Sequence, residues 1–352
     1  MFHVKQSIIT RMENEIKAYS LEGIEQLVAD AGLPSFRAGQ IGQWLYAKGA
    51  SSYSEMTNLP TTVREQFATA YPLHAPVLVE SQTSADGTQK YLMKYHDGAL
   101  AEAVAIPSHD GRLTVCCSSQ SGCAMRCAFC ATGHLGLTRS LLPGEILDQV
   151  LIANIAFGKR VTNVVVMGQG EPFANYENTL AALRIMNHPK LRNIGARHIT
   201  ISTCGLIPGI RRFAEEPEQF TLAVSLHSAI QETRDELMPA CTTYPLESLR
   251  TEAIRYTEKT GRRISFEYAL MKDVNDSEDH LNALRLYCEG LLCHVNLIPL
   301  NYIEGSPFKP APTTVTNRWR DALEQAGVSA TIRNSRGSDI AGACGQLAAK
   351  TR

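Results

Sequence analysis

The chain has 352 residues, of which 44% are apolar and 20% are charged, and its formal net charge is −1 at pH 7. These values indicate one large globular domain, alone or with a smaller companion, and exclude a disordered chain. Since no apolar stretch is long enough to cross a bilayer, we expect no membrane contact, and the near-neutral charge restricts any nucleic-acid site to a local basic patch.

The first predicted unit is a small helical domain over residues 1–75. Residues 1–17 lack the apolar middle and cleavage site of a secretory signal, so we expect a cytoplasmic protein. Apolar residues then recur at helical spacing in two stretches separated by loops that contain Gly and Pro. These apolar residues are Leu21, Ile24, Leu27 and Val28, followed by Ile41, Trp44, Leu45 and Tyr46.

The next unit, residues 76–111, is predicted to be a β-hairpin linker. Two β-rich runs, Lys90 to Tyr95 and Leu100 to Ile106, flank Asp97-Gly98. An Asp-Gly pair between two such runs is typical of a tight hairpin turn.

From residue 112 onward, short β-branched runs alternate with stretches of helical length, which is typical of repeated βα units around a parallel sheet. The strands are predicted at Leu113 to Cys117, Asn163 to Met167, His198 to Thr203, Thr221 to Leu226, Arg263 to Leu270, His294 to Pro299 and Ala330 to Asn334. The helices are predicted at Pro143 to Phe157, Asn175 to Met186, Pro245 to Lys259, Ser277 to Cys288 and Val315 to Ala326. This pattern predicts an α/β fold, a partial (β/α)6 barrel over residues 112–335, with the chemistry at the carboxyl ends of its strands.

Half of the cysteines fall in one short segment, at Cys116, Cys117, Cys123, Cys127 and Cys130. In a reducing compartment such clustering favours metal or redox chemistry over disulfides. Cys123, Cys127 and Cys130 are expected directly after a predicted strand and ahead of a helix. They are spaced to bind three irons of a [4Fe–4S] cluster, which leaves the fourth iron open to S-adenosylmethionine (SAM). A structural zinc site is the alternative, but it normally needs a second pair of ligands, and no well-spaced pair follows.

The Cys-x3-Cys-x2-Cys spacing, with Phe129 before the last cysteine, resembles the radical SAM superfamily. Five motifs in order resemble, more narrowly, the RlmN/Cfr family of rRNA adenine methyltransferases. They are Cys116-Cys-Ser-Ser-Gln-Ser-Gly-Cys123, Met167-Gly-Gln-Gly-Glu-Pro172, Ser225-Leu-His227, Asn296-Leu-Ile-Pro-Leu-Asn301 and Ala343-Cys-Gly-Gln-Leu347. The resemblance runs from about residue 20 to residue 348, and five ordered motifs are far more specific than the cluster spacing alone.

The resemblance implies one [4Fe–4S] cluster per chain and two SAM molecules per turnover. The first SAM methylates Cys344, in a C-terminal segment over residues 336–352, because a thiolate is the competent nucleophile for that step. Cleavage of the second SAM gives a 5′-deoxyadenosyl radical that removes hydrogen from the S-methyl group, and the resulting methylene radical adds to adenine. Cys116 then attacks the sulfur, which forms a disulfide and releases the product. Glu102 matches the family's proton acceptor.

The resemblance also implies a set of SAM-contacting residues at strand ends. They are Gly170, Glu171, Ser202, Ser225, Leu226, His227 and Asn301. Taken singly, each is equally compatible with a satisfied core residue, and only their common location favours a shared pocket. Two positions depart from the family pattern. Gln169 stands where the family commonly has Met, and Cys117, which we interpret as strand packing, stands where it has an apolar residue.

The partners implied by the resemblance are 23S rRNA, tRNA for some members, and an electron donor such as flavodoxin or ferredoxin. We expect a monomer whose N-terminal domain helps to bind folded RNA. The candidate basic patches are the pairs Arg262 and Arg263, Arg318 and Arg320, and Arg333 and Arg336. Each pair is also typical of an ordinary solvated surface.

Three alternatives to C2 methylation of adenine stay open. The Cfr type modifies C8 of the same base and gives antibiotic resistance; the segment from Phe36 to Tyr46 and Pro172 favour the C2 type, whereas residues 130–136 occur in both. A non-enzymatic iron–sulfur or zinc module that binds RNA is a second alternative. The third is a radical SAM enzyme for protein or small molecules, against which the pair Cys116 and Cys344 argues.

Overall fold

The computed structural model describes residues 14–348. Residues 1–13 and 349–352 lie outside this description, and with them most of the segment in which we looked for a secretory signal. The helices of the N-terminal region are α1 (Leu21–Asp30), α2 (Phe36–Gly42), a π-helical turn (Gln43–Lys48) and α3 (Thr61–Ala70). The helical character of the N-terminal region is therefore confirmed over its described part, whereas its bounds as a domain, residues 1–75, stay a prediction.

Helix α1 begins where its sequence favours a start. The Ser20 hydroxyl accepts a hydrogen bond from the Gly23 backbone N–H at 3.1 Å, which satisfies one of the unpaired amides of the first turn. Ile24, Leu27 and Val28 are buried on one face of this helix. Because these positions repeat at helical spacing, the apolar face read from the sequence is the face that packs.

The main sheet has ten strands in the order β1-β2-β3-β4-β7-β8-β9-β10-β11-β12. Its strands are β1 (Val77–Thr83), β2 (Gln89–Lys94), β3 (Leu100–Pro107), β4 (Leu113–Cys116), β7 (Asn163–Val166), β8 (Ile199–Thr203), β9 (Thr221–Ser225), β10 (Ile264–Leu270), β11 (Cys293–Pro299) and β12 (Ser329–Ile332). From β4 through β12 each neighbouring pair is parallel. Since β1 and β12 are the two edges, the barrel is open, and the predicted fold class is confirmed.

The predicted hairpin forms β2 and β3, and it extends the main sheet instead of standing apart from it. β3 pairs with β4 in antiparallel register, and β1 adds a further antiparallel strand that the sequence analysis missed. Val77 and Leu78 in β1 are exposed, so this strand lacks the alternation of buried and exposed residues that marks a strand in a sequence. The proposed boundary between residues 111 and 112 stays a prediction.

The remaining helices of the described chain connect the parallel strands. They are α4 (Pro143–Phe157), α5 (Tyr176–Asn187), α6 (Ile207–Phe213), α7 (Gln231–Leu237), α8 (Leu246–Thr260), α9 (Glu278–Cys288) and α10 (Thr313–Gln325). The bounds of α4 match the prediction because proline starts this helix and Gly158, with a φ of 60°, ends it. α6 and α7 were missed because seven residues are too few for a clear helical period.

A second, two-stranded sheet corrects one prediction. The three clustered cysteines were expected directly between a barrel strand and a helix. They lie in a loop between β5 (Gln120–Gly122) and β6 (Leu137–Ser140), which pair with each other and not with the main sheet. Such short strands have no readable pattern of their own, so only the folded chain reveals them.

The N-terminal region packs on helix α4. Every residue from Pro143 to Leu151 is buried, and the Lys17 ammonium lies 2.6 Å from the Asp148 carboxylate in a buried ion pair. A Cβ at Gly144 would lie 2.7 Å from the Lys17 side chain, so glycine is needed for this approach. Between residues 14 and 348, the structure contains no helix that is long and apolar enough to cross a bilayer.

Candidate active site

A cavity of about 840 Å³ opens at the carboxyl ends of the parallel strands. Eleven of the thirteen residues proposed for the site line it: Cys116, Cys123, Cys127, Cys130, Gly170, Glu171, Ser202, Ser225, His227, Asn301 and Cys344. They come from separate strand ends and two loops, so the fold brings together residues that are more than two hundred positions apart. Glu102 and Leu226 do not belong to the described lining of this cavity.

The loop that carries Cys123, Cys127 and Cys130, called here the cluster loop, is held mainly by its own backbone. The Cys123 N–H donates to the Gly136 carbonyl at 2.9 Å, and the Cys130 N–H donates to the Cys127 carbonyl at 3.1 Å. Gly122 has a φ of 76°, and a Cβ there would lie 2.0 Å from the Gly136 oxygen. Only glycine fits at this position, because any side chain would break the pairing of β5 with β6.

The donor set fits an iron–sulfur cluster better than a single zinc ion. Thiolates on one zinc lie roughly 3.8 Å apart, given Zn–S bonds of about 2.3 Å. Within residues 14–348, the three cysteines are not among the groups whose ligand atoms all lie within 4.8 Å of one another. Three thiols at wider spacing, facing one cavity, suit a cluster that offers each of them its own iron.

Gly170 and Glu171 form the side of the cavity next to the cluster loop. Gly170 has a φ of 102°, and a Cβ there would lie 2.6 Å from the Gln120 side chain, so no other residue fits. The Glu171 carboxylate accepts hydrogen bonds from the Phe173 N–H at 2.9 Å and the Cys204 N–H at 2.7 Å. Burial raises its pKa, which these two bonds oppose. Each oxygen keeps a lone pair that is able to accept from an ammonium group.

His227 presents a defined hydrogen-bond donor to the cavity. Its Nδ1 accepts a hydrogen bond from the Ala269 N–H at 3.0 Å. Burial, and then Arg234, lower its pKa to about 3. The neutral ring therefore carries its proton on Nε2. Its backbone adopts a φ of 56°, which is rare for a residue with a side chain and is found at functional positions. Its ring also packs edge-on against Phe129 of the cluster loop, with centroids 4.6 Å apart.

Cys116 and Cys344 line the same cavity although more than two hundred residues separate them in the sequence. Cys116 ends strand β4, and Cys344 is exposed to the cavity from the C-terminal segment. Burial raises the pKa of Cys116 to about 12, and proximity to Cys344 contributes to this rise. Asn301, proposed as a SAM contact, donates from Nδ2 to the Cys344 carbonyl at 3.0 Å. It therefore also fixes the backbone of the loop that presents this thiol.

The C-terminal segment is fastened by side chains from distant parts of the chain. The Thr132 hydroxyl donates to the Leu347 carbonyl at 2.7 Å, and the Ala131 N–H donates to the Gly345 carbonyl at 2.8 Å. These contacts join the C-terminal segment directly to the end of the cluster loop. The Cys344 loop, residues 337–348, is thus positioned in part by the cluster loop.

Glu102 and Leu226 occupy positions beside the cavity. Glu102 is buried, pairs with Lys90 at 3.2 Å and accepts a hydrogen bond from the Ala348 N–H at 2.7 Å. Leu226 is fully buried, and its backbone N–H donates to the Glu267 carbonyl at 3.0 Å. The hydrogen bond from Ala348 to Glu102 fastens the C-terminal segment, and the hydrogen bond from Leu226 to Glu267 joins the end of β9 to β10.

The two departures from the family pattern are both buried. Gln169 donates its backbone N–H to the Ser118 hydroxyl at 2.9 Å, and its side-chain oxygen accepts from the Glu102 N–H at 3.1 Å. Its side-chain nitrogen is buried without a hydrogen-bond partner in the described chain. Cys117 is fully buried in the hydrophobic core, as the interpretation of strand packing expects.

Arg333 is a site residue that was not predicted as one and was proposed only as part of a basic pair. Arg333 follows strand β12, lines the cavity and donates to the Met167 sulfur at 3.6 Å. Burial raises the pKa of the Cys344 thiol, whereas the Arg333 guanidinium lowers it. Glu267 also lines the cavity and is buried. Arg333 could have been found from its place near the carboxyl end of a predicted strand, because the catalytic residues of barrel enzymes lie at those ends.

Of the three arginine pairs, only Arg333 with Arg336 lines the cavity in the described structure. Arg262 donates to the carbonyls of Glu218 and Phe220, so it is engaged in holding loops together. Arg112, outside the three pairs, also reaches the cavity lining. The positive charge next to the cavity therefore comes from Arg112, Arg333 and Arg336.

Comparison with known proteins agrees with this architecture. A model of the radical SAM superfamily matches residues 117–284, and a model described as the ribosomal RNA large subunit methyltransferase N-terminal domain matches residues 15–71. The first match covers the cluster loop and the strands from β5 to β10, and the second covers most of the helical N-terminal region.

Individual relatives align along nearly the whole chain. A probable dual-specificity RNA methyltransferase RlmN of Geobacillus kaustophilus is 45% identical over 341 residues, which cover 96% of this chain and 93% of that protein. The corresponding protein of Bacillus subtilis is 44% identical over 340 residues, with the same coverage. The crystal structure of a radical SAM methyltransferase from Sphaerobacter thermophilus is 44% identical, with a TM-score of 0.90 over 96% of this chain and 99% of that one. This chain belongs to the RlmN family of radical SAM dual-specificity RNA methyltransferases.

Proposed function

We propose that this methyltransferase modifies C2 of a specific adenine in 23S rRNA, and an adenine in tRNA, through a methyl group carried on Cys344. The observation that carries this proposal is that Cys344 and Cys116 line the same cavity as the three cysteines of the cluster loop. A methyl-accepting thiol, a resolving thiol and a cluster site then share one enclosed space. One cluster per chain and two SAM molecules per turnover complete the proposal.

Cys344 is the methyl acceptor in this scheme. The Cys344 thiol gives its proton to solvent or base, and the thiolate attacks the methyl carbon of SAM. The bond from that carbon to the sulfonium sulfur breaks, S-adenosylhomocysteine leaves, and Cys344 becomes a thioether. Arg333 supports this step because its positive charge lowers the pKa of the Cys344 thiol, which burial raises. Asn301 holds the Cys344 backbone at 3.0 Å, so the sulfur is presented from a fixed loop.

Adenine C2 is an electron-poor carbon that does not attack a methyl sulfonium, so the transfer to RNA needs a radical route. When bound, the cluster and SAM supply the electron and the radical chemistry for that route. The chain's own part is to exclude water and to hold the carrier. The three thiols of the cluster loop, Gly170 and Glu171 provide the cofactor face, and the Nε2 proton of His227 is available to a ligand oxygen or nitrogen.

Cys116 resolves the covalent intermediate between Cys344 and the base. Its thiolate attacks the Cys344 sulfur, and a disulfide forms between the two residues. The bond from this sulfur to the methylene carbon on adenine breaks, and its electron pair stays on that carbon, which takes up a proton and becomes the methyl group. An external dithiol then reduces the disulfide and returns both thiols. Glu102 is proposed as the proton acceptor at the base, and its placement beside the C-terminal segment is compatible with that role.

RNA is proposed to bind over the cavity mouth. Arg112 and Arg336 line the cavity, pair with Asp110 and Asp86 respectively, and are the proposed phosphate contacts. A target base has to leave its stack to reach thiols that line a cavity. An electron donor such as flavodoxin or ferredoxin and a monomeric state are part of the same proposal.

The test is mass spectrometry of nucleosides from 23S rRNA and from tRNA after incubation with anaerobically reconstituted enzyme, SAM and reductant. We expect 2-methyladenosine from both RNAs, identified against 2-methyladenosine and 8-methyladenosine standards. An 8-methyl product would assign the protein to the Cfr type. Absence of any methylated adenosine, with SAM still cleaved, would contradict the substrate proposal. A product from rRNA alone would remove tRNA from it.

A further inference from the structure

A second group of metal-binding side chains lies away from the cavity, where three segments of the chain meet. Glu15 directly precedes a short 3-10 helix, Ile16–Ala18, that comes before α1. His74 lies between α3 and β1, and His96 lies in the turn between β2 and β3. Their ligand atoms all lie within 4.8 Å of one another, and this is the one such group of three found in residues 14–348.

Distances within the group match those between ligands of one ion. The Glu15 Oε1 lies 3.4 Å from the His74 Nδ1, and the Glu15 Oε2 lies 3.5 Å from the His96 Nδ1. Neighbouring ligands of a tetrahedral zinc ion with bonds of about 2.1 Å are separated by about 3.4 Å. Two imidazoles and one carboxylate are also the protein ligands of many three-residue zinc sites.

The Glu15 carboxylate is an incompletely satisfied group. Its side chain is only 3% exposed. Its Oε2 is buried and accepts no hydrogen bond within the described chain. A buried carboxylate without a full set of partners is costly, and a bound cation removes that cost.

The basic side chains nearby do not supply the missing partner. Lys17 forms its ion pair with Asp148. Arg139 is shared between Asp97 and Glu145, at 2.6 and 2.7 Å. The imidazoles of His74 and His96 therefore lie against Glu15 as its partners, either as protonated cations or as ligands of a shared metal ion.

We propose that Glu15, His74 and His96 form a binding site for a divalent transition-metal ion of the zinc type. The ion ties the start of the helical region to the hairpin of the main sheet, and water completes its coordination on the exposed side. This site is separate from the cluster loop, and the proposal does not depend on which adenine position is methylated.

One side-chain movement accompanies binding. The two imidazoles are stacked, with centroids 4.3 Å apart and an interplanar angle of 15°. An ion has to lie in the plane of each ring that binds it, so one ring must rotate about its Cβ–Cγ bond. The side chain of His74 is 44% exposed and has room to make this rotation.

The experiment uses the cluster-loaded enzyme, so that the cysteines of the cluster loop are occupied by iron. The protein is stripped of loosely held metal and dialysed against buffered micromolar Zn²⁺, and zinc and iron per chain are measured by mass spectrometry. We expect one zinc per chain with unchanged iron, and a rise of a few degrees in the melting temperature on adding zinc. Glu15→Gln and His96→Asn should each weaken zinc binding at least tenfold.

His109→Asn is the matched control, because His109 is an exposed histidine outside the group. It should bind zinc as the wild type does. Zinc binding that is equal in the wild type, Glu15→Gln and His96→Asn would overturn the proposal, as would an absence of zinc in the wild type. Should Glu15→Gln fail to fold by circular dichroism, the part-exposed His96 variant decides the outcome by itself.

Discussion

The cluster loop and the Cys344 loop meet at one end of the cavity, but they are held in different ways. The cluster loop is closed by bonds among its own residues, such as Cys123 to Gly136 and Cys130 to Cys127. The Cys344 loop depends on partners more than forty positions away, including Asn301 and Thr132. In the proposed function, the locally closed loop presents ligands at fixed spacing, whereas the remotely fastened one presents a thiol that changes its chemical state during turnover.

The largest expected effect is a loss of RNA methylation when a thiol of either loop is removed, and the iron content then distinguishes the two loops. Cys127→Ala and Cys344→Ala should each lower RNA methylation by more than about a thousandfold, because each removes a thiolate that the proposed mechanism requires. Only Cys127→Ala should also lower the iron content, since Cys344 belongs to the other loop. Nucleoside and metal analysis of the same preparations provides the measurement. Retained turnover by Cys344→Ala would refute the role of this thiol.

Cys116→Ala should stop the reaction at a later step than Cys344→Ala does, after the base has become attached to Cys344. Without the resolving thiol, the bond between Cys344 and RNA persists, so a covalent protein–RNA complex should accumulate. Denaturing gel electrophoresis with labelled RNA detects it. The double variant Cys116→Ala with Cys344→Ala is the control and should show no complex. A single variant that releases methylated RNA at the normal rate would exclude Cys116 from the mechanism.

Thr132→Val tests the fastening of the Cys344 loop. The exchange removes the hydroxyl that donates to the Leu347 carbonyl at 2.7 Å and leaves that carbonyl unpaired, at a cost of about 1–2 kcal/mol. We expect hydrogen exchange over residues 343–348 to become roughly tenfold faster, with iron content unchanged.

Thr132→Ser keeps the hydroxyl and should exchange as the wild type does. Equal exchange in Thr132→Val and the wild type would mean that the remaining contacts hold the loop by themselves. These remaining contacts include those of Asn301 and Glu102 and the bond from Gln346 to the Tyr302 carbonyl.

The smallest expected effect concerns the charge beside Cys344. Burial raises the pKa of this thiol and Arg333 lowers it. Because only the thiolate reacts, the rate of alkylation should rise with pH between about 7 and 9. Arg333→Met removes the opposing charge, so the pKa should rise further and alkylation at pH 7.5 should slow several-fold. Peptide mapping after iodoacetamide treatment measures this rate.

Arg333→Lys retains the charge and should stay close to the wild type. An alkylation rate in Arg333→Met that equals the wild-type rate at every pH would show that the guanidinium does not act on this thiol. The same peptide maps report whether the cluster cysteines remain protected by iron.

Several parts of the molecule were predictable because their signals are local. The helix from Pro143 to Phe157 was predicted with its bounds, since a proline and a glycine mark its ends. The seven strands from β4 to β12 in the main sheet were located to within a few residues by their β-branched runs. Strand β1 was missed because its exposed Val77 and Leu78 do not follow the pattern of a half-buried strand.

The sequence by itself determined the family, the parallel fold and the identity of the clustered thiols, because motif spacing and side-chain periodicity are properties of neighbouring residues. Only the tertiary structure decided that Arg333 faces Cys344, that Thr132 fastens the C-terminal segment and that Glu102 lies beside the cavity. It alone also joined Glu15 to His74 and His96. These relations depend on distances between segments far apart in the chain, which folding sets through the packing of the whole sheet.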